Sequence, residues 1–138
     1  AYDDLAAAAL RFLGDAAGPE AVQAFATARG ADLERRYREQ VEGAADRPAA
    51  LAGALSADGY AATTSPRDTP LGDQQVRGVQ LCQHHCPVQH VAAEFPQLCD
   101  AETAALGRLL GVHVQRLATI AHGDGVCTTF VPAGRHSA

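Results

Sequence analysis

A chain of 138 residues with 47% hydrophobic content is long enough for one compact core and too apolar to be disordered over most of its length. Its formal charge of -5, from 16 acids against 11 basic residues that are all arginine, leaves no basic block to serve as a nucleic-acid footprint. No apolar run approaches the roughly 20 residues that span a bilayer, and the opening AYDDLAAAAL carries acids where a signal peptide is positive, so the expected protein is cytoplasmic and off the membrane.

The first half reads as helix. In YDDLAAAALRFLGDAAG, Leu5, Ala8, Ala9, Phe12 and Leu13 recur at helical spacing, Asp3 and Asp4 suit the positive N-terminal end, and Gly14 and Gly18 are placed to end the element. GPEAVQAFATARGADLERRYREQVEGA opens on Pro19 and Glu20 and carries Val22, Phe25, Leu33, Tyr37 and Val41 along one stripe. This second helix is about seven turns long by its rise per residue. Gly30 in its middle costs about 1 kcal/mol relative to alanine, which predicts a kink or a close approach by another backbone. Two long alanine-rich helices fit an intrachain pair or the seam of a homodimer. In DRPAALAGALSADGY, Asp46 is the expected cap of a third helix, Pro48 fits its first turn and Gly59 its stop.

Beyond Tyr60 the pattern changes. Thr, Ser, Pro and Gly give way to alternation from Val76 to Leu81, which predicts two strands joined by a loop around Ser65 to Asp73. CPVQHVAAEFPQLCDAETAALGRLLG then predicts a short helix, a break at Pro96 and a second helix opened by Asp100, with Glu102 in its first turn and Leu106, Leu109 and Leu110 on its apolar face. VHVQRLATIA alternates and VCTTFVP follows a tight HGDG turn, the signature of a closing β-hairpin. The resulting fold class is α+β: N-terminal helices followed by a small antiparallel sheet interrupted by a helical pair, closing with a β-hairpin. One domain is expected over 1–138, with a helical part over about 1–58, a cysteine-bearing α+β part over about 59–132 and a tail at 133–138.

Cys82, Cys86, Cys99 and Cys127 follow the spacing C-x3-C-x12-C-x27-C. In a reducing compartment a chain of this size has no need of disulfides, so metal or redox chemistry is the favoured use of the thiols. Each cysteine falls at the predicted end of an element, where a short side chain can reach a shared centre. Zinc usually takes close ligand pairs, and only Cys82 and Cys86 are close. An iron-sulfur cluster is bulkier and takes thiolates from separated segments, and amides of the HGDGVC turn are placed to donate to sulfur. Spacing by itself leaves cluster, zinc and buried structural thiols open. His84, His85, His90 and His122 are rival donors, each more simply read as a surface or hydrogen-bonding residue. Arg29 reads as a snorkelling surface arginine, with a partly buried ion pair or a dimer contact as alternatives, Arg108 and Arg116 as solvated, with the alternative of balancing an anionic centre, and Asp124 as turn chemistry. No nucleophile elbow, phosphate loop or His-Glu-x-x-His helix is present, and the protein is expected not to be an enzyme.

The run CPVQHVAAEFPQLCDAETAALGRLLGVHVQRLATIAHGDGVCTTFVP, with YDDLAAAALRFLG and LAGALSADGY upstream, resembles the C-terminal sensor domain of the actinobacterial SufR family of iron-sulfur-dependent repressors. The likeness is dense from about Val79 to Pro132. It implies that Cys86, Cys99 and Cys127 are the metal ligands of an iron-sulfur cluster of the 4Fe-4S type. It also implies a homodimer that binds operator DNA through an N-terminal winged helix-turn-helix, a domain expected to be missing from this chain. Cluster-loaded protein would repress the suf operon, and loss or oxidation of the cluster would relieve repression. Cys82 is a possible fourth ligand, since a thiolate completes an all-cysteine site, although it lies outside the family's three. Phe130 departs from the family, which more often has histidine there. The alternative is a zinc-stabilised structural or dimerisation module.

Overall fold

The computed structural model describes residues 2–71 and 73–133, and for residues 69–71 and 122 the backbone only. Three helices come first, α1 (Asp3–Ala17), α2 (Pro19–Glu42) and α3 (Arg47–Ala57). Gly18, at a φ of +88° that side chains resist, ends α1 and lets α2 start at once, with Pro19 in its first turn. Gly14, expected to help end α1, lies within it. The Asp46 side chain accepts the Ala49 amide at 3.1 Å and caps α3 as expected.

The face that α1 buries differs from the stripe read in its sequence. Ala7 and Leu10 are buried and Leu13 half-buried, whereas Leu5 and Phe12 are 67% and 74% exposed. LAAAALRFLG carries two overlapping apolar faces, and the one through Gly14 allows closer approach, because a methyl group there would already touch Val22 at 3.4 Å. Arg11, held to Glu94 at 2.6 Å, fixes the same rotation.

Helix α2 buries Val22, Ala26, Gly30, Leu33, Tyr37 and Val41, a stripe from which Phe25 is absent. Gly30 explains itself: a Cβ there would lie 2.9 Å from the carbonyl oxygen of Ala101, so α2 and α5 (Gln97–Leu110) meet backbone to backbone. Replacing Gly30 by alanine should therefore cost about 1–3 kcal/mol through overpacking, against a gain in helix propensity of about 1 kcal/mol, for a net loss of up to about 2 kcal/mol. Urea denaturation of the two proteins checks the sign, and a more stable variant would contradict the close approach.

The sheet is four-stranded and antiparallel throughout, in the order β1 (Ala62–Leu71), β2 (Gln74–Gln83), β4 (Cys127–Pro132), β3 (Gln115–Ala118). The α+β class and the order of elements are those expected. The loop expected over Ser65 to Asp73 is instead mostly strand, with Pro66 and Pro70 inside β1. β1 is an edge, where a proline's missing N–H need not break a ladder. Between β2 and β3 come α4 (Gln89–Glu94) and α5, which starts three residues before Asp100 because Pro96 already adopts helical backbone angles as its cap. The connection from β3 to β4 is longer than a tight turn: a 3-10 segment (Ile120–His122) follows β3, and Asp124 accepts the Thr119 amide at 3.0 Å. Of the tail expected at 133–138, residues 134–138 lie outside the described residues.

Two apolar clusters fill the space between helices and sheet. Leu33, Val41, Leu55, Leu81, Leu106 and Leu109 anchor one, against the inner face of the sheet. Each such side chain contributes about 1.5–3 kcal/mol of burial. The other joins α1 and α2 to α4 and α5 through Leu10, Ala26, Val91 and Leu98, with Cys99 packed at its margin.

Candidate metal centre

The alternation of β2 decides which cysteine goes where. Leu81 and Gln83 are buried on the helix side of the sheet, so Cys82 between them points to the opposite face. There its sulfur accepts a hydrogen bond from Gln80 Nε2 at 3.1 Å. Cys127 pairs with Gln83 across β2 and β4, so it shares the helix side, where it is buried. Its sulfur accepts the Ile120 amide at 3.1 Å. An amide was expected to reach a thiol from the glycine-bearing turn; the donor comes instead from the start of the 3-10 segment.

Cys86 lies in the loop between β2 and α4 and Cys99 in the first turn of α5, both half-buried. Burial pushes the Cys86 thiol up from its ordinary range, while the nearby Val88 amide favours the thiolate. Burial is also the main reason that the Cys99 thiol is pushed up to about 11, and the Glu102 carboxylate adds to it. Cys86 and Cys127 charges would be felt at Cys99, and that of Cys127 at Cys86. Each of these three thiols feels the charge of another, while Cys82 faces the other side of the sheet. In the metal-free chain, Cys99 should hold about a hundredfold less thiolate near neutral pH than an ordinary cysteine. Alkylation followed by mass spectrometry at pH 8 should show it protected relative to the urea-unfolded chain.

Among the described residues no three His, Cys, Asp or Glu side chains are gathered tightly enough to form a ready-made ion site. A group held by the three thiols must therefore draw them together on binding or span the gaps between them.

Around the thiols lies a buried polar layer. Glu102, one turn beyond Cys99 on α5, is 7% exposed and accepts a hydrogen bond from Arg116 at 3.1 Å. Arg116, expected at the surface, is largely buried because it faces the helices from β3 beside Thr129. Its Nε and Nη1 have no protein partner among the described residues, nor do both amide atoms of Gln83 and the hydroxyl of Thr129. Unpartnered buried polar groups each cost about 1–3 kcal/mol, and they lie on the sheet face that carries Cys127. Arg29, also expected at the surface, is half-buried beside Tyr60, whose hydroxyl is held protonated by burial and by Glu102. Thiols, sulfur-directed amides and unpartnered donors fit an anionic inorganic group better than an apolar ligand.

Two clefts reach this region. One of about 460 Å³ is lined by Cys99, Thr103, Arg116, Thr119 and Asp124. The other, of about 620 Å³, brings Cys86 together with His85, His90 and Asp3. His84 is exposed and shares a hydrogen bond with Thr63 at 3.0 Å, and His90 lies 3.5 Å from Asp4, also exposed. The His122 side chain, a candidate donor in the sequence, lies outside what is described.

Sequence reasoning passed over Glu102 and Gln83 as parts of this layer. For Glu102 a signal existed, since Cys99 and Glu102 stand at i and i+3 on one helix and must share a face. Comparison of the chain with models of protein families, with curated proteins and with solved structures gives no match.

Proposed function

We propose that this chain is the iron-sulfur sensor domain of a SufR-type repressor of suf-operon genes, holding a 4Fe-4S cluster through Cys86, Cys99 and Cys127. The observation that carries the reading is that each of those three thiols, from three separate elements, feels the charge of another, with an amide on the Cys127 sulfur and Cys82 turned away. The cluster supplies redox sensitivity and lability. The chain would supply thiols that give up their protons on binding, together with amide donors and a low-dielectric wall.

Ligation fixes the loop before α4, the first turn of α5 and the start of β4 relative to one another. Leu10 of α1 packs in the same cluster as Val91 of α4, so order at the thiols extends to α1. The outer face of α1, with Leu5 and Phe12 exposed, is the proposed seam of a homodimer. Operator DNA is bound by a winged helix-turn-helix domain of the whole protein, and the charge of -5 on this chain supports a sensing role instead of direct DNA contact.

Anaerobic purification followed by metal and acid-labile sulfide analysis tests the reading. Iron and sulfide in similar amounts are expected, with broad visible absorbance that bleaches in air. Zinc without sulfide would replace this reading with a structural zinc module.

A further inference from the structure

One short segment borders the surroundings of all three inner thiols. Thr119 lines the cleft onto which Cys99 opens, and Ala121, two residues on, lines the one onto which Cys86 opens. Between them the Ile120 amide donates to the Cys127 sulfur, and Ile120 itself is buried. Residues 119–121 are therefore the wall between the two clefts, with Cys127 at its foot. Local bonds hold this wall in shape. At its base the Thr119 amide donates to the Asp124 carboxylate at 3.0 Å and the Asp124 amide to the Thr119 carbonyl at 3.1 Å. Gly123 closes the turn on the Ile120 carbonyl at 3.0 Å, at a φ of +96° that side chains resist. On its outer side the segment borders open space, since a Cβ added at Gly123 or Gly125 would meet no atom within 4 Å.

We propose that residues 119–124 form a gate that keeps Cys86, Cys99 and Cys127 apart in the metal-free chain, an inference that rests on the iron-sulfur reading above. Pivoting on the contact between Ile120 and Cys127, the gate swings toward its open side. The clefts of about 460 and 620 Å³ then merge into one space that the three sulfurs face together. Opening breaks the clasp between Thr119 and Asp124 and the turn at Gly123, so the bonds that keep the gate shut set the rate at which the thiols become available. Local openings of this kind cost less than global unfolding, and a loop bordered by open space belongs to the low end of that range.

The test compares wild type with Asp124→Ala, which removes the carboxylate from the clasp, and with Gly123→Ala, which strains the turn without adding a contact. Gly125→Ala is the control, a methyl group in open space at a glycine outside the left-handed region. Two rates are measured: alkylation of Cys127 in the metal-free chain, by mass spectrometry, and anaerobic loading with ferrous iron and sulfide, by visible absorbance. Both should rise at least about fivefold in Asp124→Ala and in Gly123→Ala, the equivalent of one lost hydrogen bond, and stay at wild-type values in Gly125→Ala. Release of iron from the loaded proteins to a ferrous chelator should be unchanged, because the gate already stands open there. Wild-type rates of alkylation or of loading in both loosened variants overturn the gate, as does an equal rise in Gly125→Ala. Faster release without faster alkylation makes the segment a support of the loaded site and overturns the gate as well. Uptake of neither iron nor sulfide by any of the four proteins, whatever their alkylation rates, overturns the iron-sulfur reading and this inference with it.

Discussion

Replacing Arg116 by glutamine should lower the stability of the metal-free chain by about 3–5 kcal/mol, because it leaves the Glu102 carboxylate buried without its cation. Against a typical total of about 5–15 kcal/mol, such a loss brings the chain close to unfolding at moderate temperature. The size of the effect follows from burial, not from the presence of an ion pair as such. Arg35 and Asp32 are closer, at 2.7 Å, but half or more exposed on α2. Arg35→Gln should therefore change stability by no more than about 1 kcal/mol. Adding Glu102→Gln to Arg116→Gln should recover most of the loss, since a neutral pair asks little of its surroundings. Urea denaturation of these three variants, of Glu102→Gln and of wild type gives the cycle and its exposed control. Equal, small losses for Arg116→Gln and Arg35→Gln would show that water reaches Glu102 and that the polar layer is not the low-dielectric environment described above.

Local chemistry made much of the fold legible in advance. Asp46, Pro19 and Gly18 mark helix ends by their own hydrogen-bonding and backbone preferences, and Gly30 announces the close approach of α5 because only a missing side chain permits it. What depended on tertiary choice was read less well. LAAAALRFLG has two faces that could pack, and the selection between them came from other elements, Val22 of α2 and Glu94 of α4. The prolines of β1 look like loop signals until the strand's place at an edge is known. In the site, Cys82 was offered by its chemistry as a possible fourth ligand, and only the burial of Leu81 and Gln83 on the helix side shows that it faces the other way. Glu102 was harder: an acid near the start of a helix reads as a partner for its dipole. Its burial is set by Arg116 from β3, and the pairing of Arg116 with Thr129 on β4 cannot be deduced from α5 alone.

A serine scan of the four cysteines should separate them three to one. Cys86→Ser, Cys99→Ser and Cys127→Ser should each abolish bound iron and acid-labile sulfide in anaerobically prepared protein, while Cys82→Ser should load like wild type. The chemical reason is that serine is the harder donor and holds its proton far more tightly than a thiol, so a centre that prefers soft thiolates loses a ligand outright. Position supplies the rest. Cys82 bonds only to Gln80 on the far face of the sheet, and a serine hydroxyl replaces that contact without reaching the helix side. Folding itself must be separated from loading, and Cys127 is the residue where the two could be confused, because its buried sulfur holds the Ile120 amide. Loss of one neutral hydrogen bond costs about 1 kcal/mol, too little to unfold the chain, so metal-free Cys127→Ser should melt within about 5 °C of metal-free wild type. In the loaded state the difference should be larger, since a group that binds only the folded chain adds about 4 kcal/mol when present at a thousand times its dissociation constant. Wild type alone among these four proteins (itself and the Cys86→Ser, Cys99→Ser and Cys127→Ser variants) should gain that increment on reconstitution. An increment that survives in Cys86→Ser, Cys99→Ser and Cys127→Ser alike would mean that these thiols are not what holds the centre.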